Sequence, residues 1–287
     1  MFIITFKAKG NNIDKKIEDL QINDIFNVYY ESALNILKDN WGYGYEEKQE
    51  EILDLNIVYD DDKNLLDNFI QKLTNILDDD NYTVREENYD YTEVEFPAVE
   101  IDDTWVLANP NEEFEGKKKI NFISQGAFGT GLHETTKDLL KLILSRDFTN
   151  KKVMDIGTGS GILAIATAIK GAQKVTAIDI RDVRDEVELN SSLNNLDTIE
   201  VKVGNALNNE FEVDPLYDWI YINIGGEETQ MFLDYINLHL KKDGKLLVSG
   251  LVEWSFDFVK SEVEKAGYKM IEKLQTNEWC TAIFDRI

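Results

Sequence analysis

One short segment has acidic and glycine residues of the types and spacing that bind a nucleotide-like ligand. It runs Val153-Met154-Asp155-Ile156-Gly157-Thr158-Gly159-Ser160-Gly161, an apolar run that enters an acid and then alternating glycines. This pattern predicts a strand, a tight turn and a helix, and glycine lets the turn backbone approach a ligand where a Cβ would clash. The next predicted strand, residues 174–178, ends in Asp179, whose carboxylate could accept hydrogen bonds from two ribose hydroxyls.

The spacing of these glycines separates two classes of nucleotide-type site. A nicotinamide-binding Rossmann unit has G-x-G-x-x-G, whose third glycine packs the helix on the strand. Here the residue three positions after Gly159 is Ile162, so the spacing is G-x-G-x-G. With an acid before the first glycine and another closing the second strand, the pattern resembles class I S-adenosylmethionine-dependent methyltransferases. A glycine turn in some other α/β protein is the alternative.

A second glycine-rich segment precedes a predicted helix. A turn that opens a helix presents free N–H groups, which suit a carboxylate or another anion. The alternative is an ordinary helix start capped by Thr135 or Thr136. We interpret His133 as a packed histidine in preference to a catalytic one. The segment runs Gly126-Ala127-Phe128-Gly129-Thr130-Gly131-Leu132-His133-Glu134-Thr135-Thr136.

Two asparagines follow predicted strands, at the edge where open α/β sheets bind ligands. Asn205 comes after the strand at residues 199–203 and could accept a hydrogen bond from the exocyclic amine of adenine; the alternative is a simple turn role. Asn223 ends the strand at residues 217–222. Both side chains are therefore candidates for ligand binding.

The predicted elements around these residues form an α/β domain. Strand and helix patterns alternate from residue 153 to residue 266, after a strand-like piece at 98–108. This alternation predicts a parallel sheet, and the final strand pair at 268–274 and 278–284 closes it with an antiparallel hairpin. We predict a Rossmann-like seven-stranded sheet, with the last strand antiparallel, for the methyltransferase domain at residues 93–287.

Residues 1–92 predict a separate N-terminal α+β domain. Their strand-like and helix-like pieces follow the order β-α-β-β-α-β, the ferredoxin-like arrangement, with the clearest helix face at residues 65–77. Residues 25–30 predict a strand, and residues 41–45 predict a turn with aromatic side chains. The acidic stretch at 86–95 contains no basic residue and predicts a linker or an exposed edge.

Four motifs together resemble the family of methyltransferases that act on large-subunit ribosomal protein eleven, the PrmA type. The first and last motifs are unusual outside that family, and the resemblance covers about residues 96–287. Over residues 1–90 only the position and the ferredoxin-like shape agree with the substrate-recognition domain of the family. The motifs are Ala127-Phe128-Gly129-Thr130-Gly131-x-His133-x-Thr135-Thr136, Asp155-x-Gly157-x-Gly159-x-Gly161-Ile162-Leu163-Ala164-Ile165-Ala166, Ile178-Asp179-Ile180 and Glu278-Trp279-Cys280.

The resemblance implies S-adenosylmethionine as the cofactor and assigns residues to it. Gly157, with Gly159 in the same turn, would bring the backbone close to the methionine part, and Asp179 would hold the ribose hydroxyls. Thr136 would close over the methionine end, and Asn223 would lie beside the transferred methyl group.

Two departures from the family pattern stand near these residues. The family usually has Asn-Ile-Leu-Ala after the fourth strand, whereas this chain has Asn223-Ile224-Gly225-Gly226. We expect the missing side chains to widen the acceptor side of the pocket or to alter which amine enters. The family also tends to have Asp-Pro after the ribose-binding acid, where this chain has Arg181-Asp182, a change beyond the ribose contact.

Composition limits the partners and the chemistry. The net charge is −25, and residues 1–100 alone carry 24 acidic and 9 basic side chains, a net −15. This field favours a basic protein partner and disfavours direct nucleic-acid binding, unless it serves solubility alone. The single cysteine excludes an internal disulfide and a thiolate zinc cluster, and with two histidines we expect no His-based metal site. The lack of an apolar run of about 18 residues predicts no membrane span, and we expect a cytoplasmic protein.

The expected reaction is methylation of a lysine or a terminal amine in a ribosomal protein. Lysine must lose a proton first, which costs about 4–5 kcal/mol at neutral pH and less in an apolar slot. No residue stands out as a dedicated general base. Two alternatives remain: a methyltransferase for another protein or a small amine, and a catalytically silent binding protein on the same scaffold.

Overall fold

The computed structural model describes most of the chain, in two compact units. One unit contains Met1–Leu37 and Gly44–Val94, and the other contains Lys38–Tyr43 and Glu95–Ile287. None of the helices in the described part of the chain is long and apolar enough to cross a membrane. The described residues are 1–23, 25–30, 34–47, 52–87, 97–125, 129, 131 and 133–287.

The first unit has the predicted ferredoxin-like order. The elements, in chain order, are β1 (Phe2–Lys9), α1 (Ile13–Ile22), β2 (Val28–Tyr30), β3 (Leu34–Lys38), β4 (Tyr43–Glu47), β5 (Ile52–Tyr59), α2 (Leu66–Leu77) and β6 (Tyr82–Glu86). The four main strands form an antiparallel sheet in the order β2-β5-β1-β6. Leu20 and Leu73 of the two helices pack with Ile4 and Leu55 of this sheet.

A β-hairpin is present where the sequence predicted only an aromatic turn. Strands β3 and β4 pair with each other, and Tyr43, expected in the turn, begins β4. The turn forms because Asp39 Oδ1 accepts hydrogen bonds from the N–H groups of Trp41 (2.8 Å) and Gly42 (3.0 Å). The predicted strand at 25–30 is also shorter than expected and starts at Val28.

The second unit is built on a seven-stranded sheet. The elements of the unit are β7 (Val99–Glu100), β8 (Trp105–Ala108), β9 (Lys118–Asn121), α3 (Glu134–Leu144), β10 (Lys152–Ile156), α4 (Ile162–Ile169), β11 (Lys174–Asp179), α5 (Arg184–Leu193), β12 (Ile199–Val203), β13 (Tyr217–Ile222), α6 (Gly226–His239), β14 (Leu240–Val252), α7 (Glu253–Lys265), β15 (Tyr268–Thr276) and β16 (Trp279–Arg286). The strand order in the sheet is β12-β11-β10-β13-β14-β16-β15. Strands β10 to β14 are parallel, and β16 is antiparallel to β14 and β15, which confirms the predicted class I methyltransferase fold.

The core of this unit lies in two buried clusters. Val153 of β10 packs with Leu139 of α3 and Ile165 of α4, whereas Met154, its neighbour in β10, packs with Ile236 of α6 and Val259 of α7. Successive residues of a strand point to opposite faces, so both faces of the sheet are covered. The parallel strands are therefore held firmly, and the loops at their carboxyl ends are positioned by a packed scaffold.

The predicted strand at 98–108 is wrong as a single element. It is divided into β7 and β8, which pair antiparallel and form a separate small sheet with β9. Asp102 Oδ1 accepts hydrogen bonds from the N–H groups of Thr104 (2.7 Å) and Trp105 (2.8 Å), a local side-chain contact that turns the backbone. The predicted linker at 86–95 lies mostly outside the described residues.

Candidate functional site

The glycine turn after β10 has the conformation that its sequence predicts. Gly157, Gly159 and Gly161 have φ values of +71°, +53° and +76°, a region that costs a residue with a Cβ about 1–2 kcal/mol. The N–H groups of Gly157 and Thr158 both donate to the Ile178 carbonyl oxygen, at 2.9 Å. The turn is therefore tied to the end of β11.

The carboxylate of Asp179 is fixed beside this turn. Its Oδ2 accepts a hydrogen bond from the Gly159 N–H at 2.9 Å, and its Oδ1 accepts one from the Arg181 N–H at 3.0 Å. The residue is 7% exposed. Each carboxylate oxygen has more than one lone pair, so the side chain can accept further hydrogen bonds from a ligand while its position stays fixed.

Strand register brings three of the predicted site residues side by side. Ile156 pairs with Ile178 of β11 on one side and with Ile222 of β13 on the other. The next residues along these strands are Gly157, Asp179 and Asn223. The parallel strands therefore place all three at one edge of the sheet, where open α/β sheets bind ligands.

The acid that precedes the turn is a buried structural group. Asp155 is 1% exposed, and its Oδ2 accepts a hydrogen bond from Thr158 Oγ1 at 2.7 Å. The pKa of Asp155 is raised to about 6, mainly because burial disfavours the charged carboxylate. The hydrogen bond from Thr158 acts in the opposite direction and lowers the pKa, whereas the charge of Asp179 also raises it. The sequence analysis missed Thr158, although its position three residues after an acid at a strand end was a usable signal.

Helix α3 begins with a different cap from those considered. His133 is the N-cap, and its Nδ1 accepts a hydrogen bond from the Thr135 N–H at 3.3 Å and lies 2.9 Å from Thr135 Oγ1. The alternative of a cap by Thr135 or Thr136 is therefore wrong, because the imidazole occupies that role. The ring of His133 also meets Trp279 edge-on at 4.7 Å, in agreement with a packed histidine.

Only part of the second glycine-rich segment is described. Its residues 126–128, 130 and 132 lie outside the described part of the chain. The Gly129 carbonyl oxygen accepts a hydrogen bond from the buried Ser160 Oγ at 2.9 Å, a contact that the sequence analysis missed. Ser160 belongs to the turn after β10, so this contact connects the two glycine-rich segments.

Two predicted ligand residues have buried oxygens without a hydrogen-bond partner among the described residues, Thr136 Oγ1 and Asn223 Oδ1. Buried polar atoms are almost always hydrogen-bonded, so such atoms call for an explanation. Asn223 Oδ1 lies 3.4 Å from the position that a Cβ on Gly250 would occupy. Both atoms are available to a ligand with hydroxyl, ammonium or amine donors.

Asn205 has a local partner. Its Oδ1 accepts a hydrogen bond from the Leu207 N–H at 3.0 Å and caps the short turn that follows. The strand before it pairs with β11 so that Val203 faces Asp179. Asn205 therefore lies just after the strand next to Asp179, the candidate for ribose binding, and one lone pair of its Oδ1 already accepts a hydrogen bond.

The two unusual glycines after β13 do not leave open space. A Cβ on Gly226 would lie 2.7 Å from the Trp41 carbonyl oxygen and 2.8 Å from Val259 Cγ2. A Cβ on Gly225 would lie 2.6 Å from Glu228 Oε2, the end of a flexible side chain. The expectation of a pocket widened at Gly226 is therefore wrong, because other parts of the chain fill that space.

The site suits S-adenosylmethionine. The fixed Asp179 carboxylate can accept hydrogen bonds from ribose hydroxyls, and Asn223 Oδ1 is a buried acceptor without a partner among the described residues. A seven-stranded sheet with this site defines a class I methyltransferase that uses S-adenosylmethionine as its cofactor.

The comparisons identify the family. The chain matches the family model of ribosomal protein L11 methyltransferase (PrmA) over residues 2–286, and it therefore belongs to this family of S-adenosylmethionine-dependent protein methyltransferases. A relative in Fusobacterium nucleatum, a ribosomal protein L11 methyltransferase, is 33% identical over 94% of this chain and 88% of its own length.

Two further proteins match about two thirds of the chain. A ribosomal protein L11 methyltransferase of Clostridium perfringens is 34% identical over 64% of this chain and 59% of its own length. A solved structure of a ribosomal protein L11 methylase from Lactobacillus delbrueckii subsp. bulgaricus has a TM-score of 0.59 and 27% identity, over 66% of this chain and 98% of that structure.

Proposed function

We propose that this protein N-methylates lysine side chains or a terminal amine of ribosomal protein L11. The observation that carries the proposal is the alignment of Gly157, Asp179 and Asn223 at one sheet edge, in a chain that matches the L11 methyltransferase family over residues 2–286. The similar proteins from Fusobacterium nucleatum, Clostridium perfringens and Lactobacillus delbrueckii are named as methyltransferases or a methylase of ribosomal protein L11.

Six residues are proposed to hold the cofactor. The backbone at Gly157 and Gly159 and the carboxylate of Asp179 would bind the methionine and ribose parts, with Thr136 at the methionine end. Asn205 would lie at the adenine edge. Asn223 would lie beside the transferred methyl group. When bound, S-adenosylmethionine supplies an activated methyl group on a sulfonium.

The remaining task of the protein is to place a neutral amine. Deprotonation of a lysine at neutral pH costs about 4–5 kcal/mol, and removal of the amine from water lowers this cost because burial disfavours the charged form. Asn223 Oδ1, a buried acceptor, can orient an N–H of the amine. The fold then acts mainly through positioning, which can supply several kcal/mol of the barrier reduction.

We propose a basic protein partner for the acidic chain. The net charge of −25 attracts a basic ribosomal protein and repels bare nucleic acid at long range, so direct nucleic-acid binding is not expected. Residues 1–92 are proposed as the substrate-recognition domain and residues 93–287 as the methyltransferase domain. The reaction is proposed to occur in the cytoplasm.

The test is mass spectrometry of ribosomal proteins after incubation with the purified protein and S-adenosylmethionine. Ribosomes should come from cells that lack the gene, so that the sites are unmodified. A mass gain of one or more methyl groups on L11 is expected. No gain on L11 by a preparation that binds the cofactor would contradict the proposal and favour another protein or a small amine as the acceptor. No gain on any acceptor would favour a silent binding protein.

A further inference from the structure

A short segment from early in the chain occupies the space beside Gly226. We call residues 38–43 the tip segment; they form the end of the β3–β4 hairpin and group with the second unit. The carbonyl oxygen of Trp41 lies 2.7 Å from the position of a Cβ on Gly226. Since heavy atoms essentially never come that close to a Cβ, even alanine at this position requires the tip segment or the start of α6 to move.

Aromatic contacts hold the tip segment in this place. The ring of Trp41 meets Phe258 edge-on at 4.6 Å, and the ring of Tyr43 meets Trp254 edge-on at 4.8 Å. The Trp254 Nε1–H donates to the Gly42 carbonyl oxygen at 3.3 Å. Edge-to-face pairs contribute about 0.5–1.5 kcal/mol each beyond the contribution of the area that they bury. These contacts therefore stabilise the tip segment in its position.

Gly226 connects this contact to the methyl-transfer site. It is the first residue of α6 and lies three positions after Asn223. The Gly225 carbonyl oxygen accepts hydrogen bonds from the Thr229 N–H (3.1 Å) and Thr229 Oγ1 (2.6 Å), which fix the first turn of the helix. The backbone from Asn223 to Gly226 is thus held between the end of β13, the first turn of α6 and the tip segment.

We propose that Trp41 and Tyr43 are positioning residues for methyl transfer, which hold the Asn223–Gly226 turn in the arrangement that receives the acceptor amine. The inference rests on the proposed function. It assigns the unusual Gly226 to close packing with the tip segment, and it makes a segment from the early part of the chain a component of the acceptor side.

The first variant is Gly226→Ala, whose new methyl group meets the Trp41 carbonyl oxygen. We expect kcat/KM for L11 to fall about tenfold, because small displacements of positioned groups are costly in rate. The Kd for S-adenosylmethionine should stay within about twofold, since only Asn223 of the six proposed cofactor residues lies in the displaced turn. Gly116→Ala is a control for backbone strain without crowding, because this residue has φ +76° and no atom within 4 Å of its Cβ position; we expect it to lose stability without a change in kcat/KM.

The second pair of variants concerns Tyr43. Tyr43→Ala removes the ring that packs on Trp254, and we expect a fall in kcat/KM of about fivefold with an unchanged cofactor Kd. Tyr43→Phe retains the ring and should restore the full rate. A purely structural role would lower the melting temperature of Tyr43→Ala while its kinetics at 25 °C remained those of the unchanged protein, and that result would overturn the inference.

The two proposals fail in different ways. If the unchanged protein does not methylate L11, the proposed function is wrong, and the inference built on it is wrong with it. If the unchanged protein methylates L11, and if the variants Gly226→Ala and Tyr43→Ala methylate it equally well, only the proposed role of the tip segment is wrong. A parallel rise in the cofactor Kd of both variants would also contradict it, because the tip segment would then support cofactor binding.

Discussion

The two halves of the proposed methyl-transfer site require glycine for reasons that overlap only in part. In the proposed cofactor half, Gly157 has φ +71°, so the backbone of a local turn requires glycine, and a Cβ there would in addition meet the Ile224 side chain at 2.7 Å. In the proposed acceptor half, Gly226 is not among the glycines with positive φ, and it is needed for space because the Trp41 carbonyl oxygen lies 2.7 Å from its Cβ position. A torsional requirement can be recognised in a short motif. A requirement for space depends on a partner that can lie anywhere in the chain.

The largest effect expected in the cofactor half comes from Asp179→Ala. The change removes the acceptor for the proposed ribose hydroxyls and leaves the Gly159 N–H without its partner at 2.9 Å. Hydrogen bonds to charged groups contribute about 1.5–3 kcal/mol, so we expect the cofactor Kd to rise about 10- to 100-fold. Calorimetric titration measures this, with the exposed Asp182→Ala as control. An unchanged Kd would show that Asp179 does not bind the cofactor.

The variant Gly157→Ala tests whether the requirement for glycine at this position is torsional. A Cβ at this left-handed position should cost about 1–2 kcal/mol of the free energy of unfolding, measured by chemical denaturation. The Cβ would also meet the Ile224 side chain at 2.7 Å. The cost should therefore persist in an Ile224→Ala background if it is torsional. A cost that disappears there would make crowding the reason in both halves of the site.

The free energy of unfolding is expected to depend on pH because of Asp155. Its pKa of about 6 lies above the usual value of 3.8, so the folded state takes up a proton that the unfolded state does not. The resulting stabilisation is complete below pH 3.8 and is lost as the pH rises through about 6. Relative to Asp155→Asn, the free energy of unfolding of the unchanged protein should increase by about 1 kcal/mol when the pH is lowered from 7 to 5. Urea unfolding at both pH values tests this, and parallel curves would refute it.

The smallest effect is expected at Asn205. Loss of its cap on the Leu207 N–H should lower stability by about 0.5–1 kcal/mol in Asn205→Ala. Loss of the proposed adenine contact should raise the cofactor Kd about fivefold, since a neutral hydrogen bond contributes about 1 kcal/mol. Asn205→Asp keeps an acceptor oxygen and should restore the Kd. A Kd that is the same in all three proteins would assign Asn205 to capping alone.

Sequence was sufficient where the physical cause was local and a single pattern of neighbouring residues indicated it. The turn after β10, the acid at the end of β11 and the alternation of strands and helices each depend on neighbouring residues, and the structure contains them. The juxtaposition of Gly157, Asp179 and Asn223 also followed, because parallel strands bring their carboxyl ends to one edge.

The misses have causes at longer range or in alternative local contacts. The cap of α3 was misassigned because an imidazole, an uncommon cap, competes with the two threonines for the same N–H group. The strand at 98–108 was divided by a side-chain contact of Asp102. The filled space beside Gly226 could not be predicted, since no local pattern indicates that Trp41 lies there.

The tip segment also bears on how the chain is made. Its Gly42 contacts Trp254 across 212 residues of sequence, and a ribosome needs about 10–40 s to synthesise that length at 5–20 residues per second. During this time Trp41 and Tyr43 have no packing partners from α7, because that helix does not yet exist. The second unit can be completed only after its last helix has been synthesised, and a chain begun at residue 93 would leave uncovered the surfaces of Phe258, Trp254 and Gly226 that contact the tip segment.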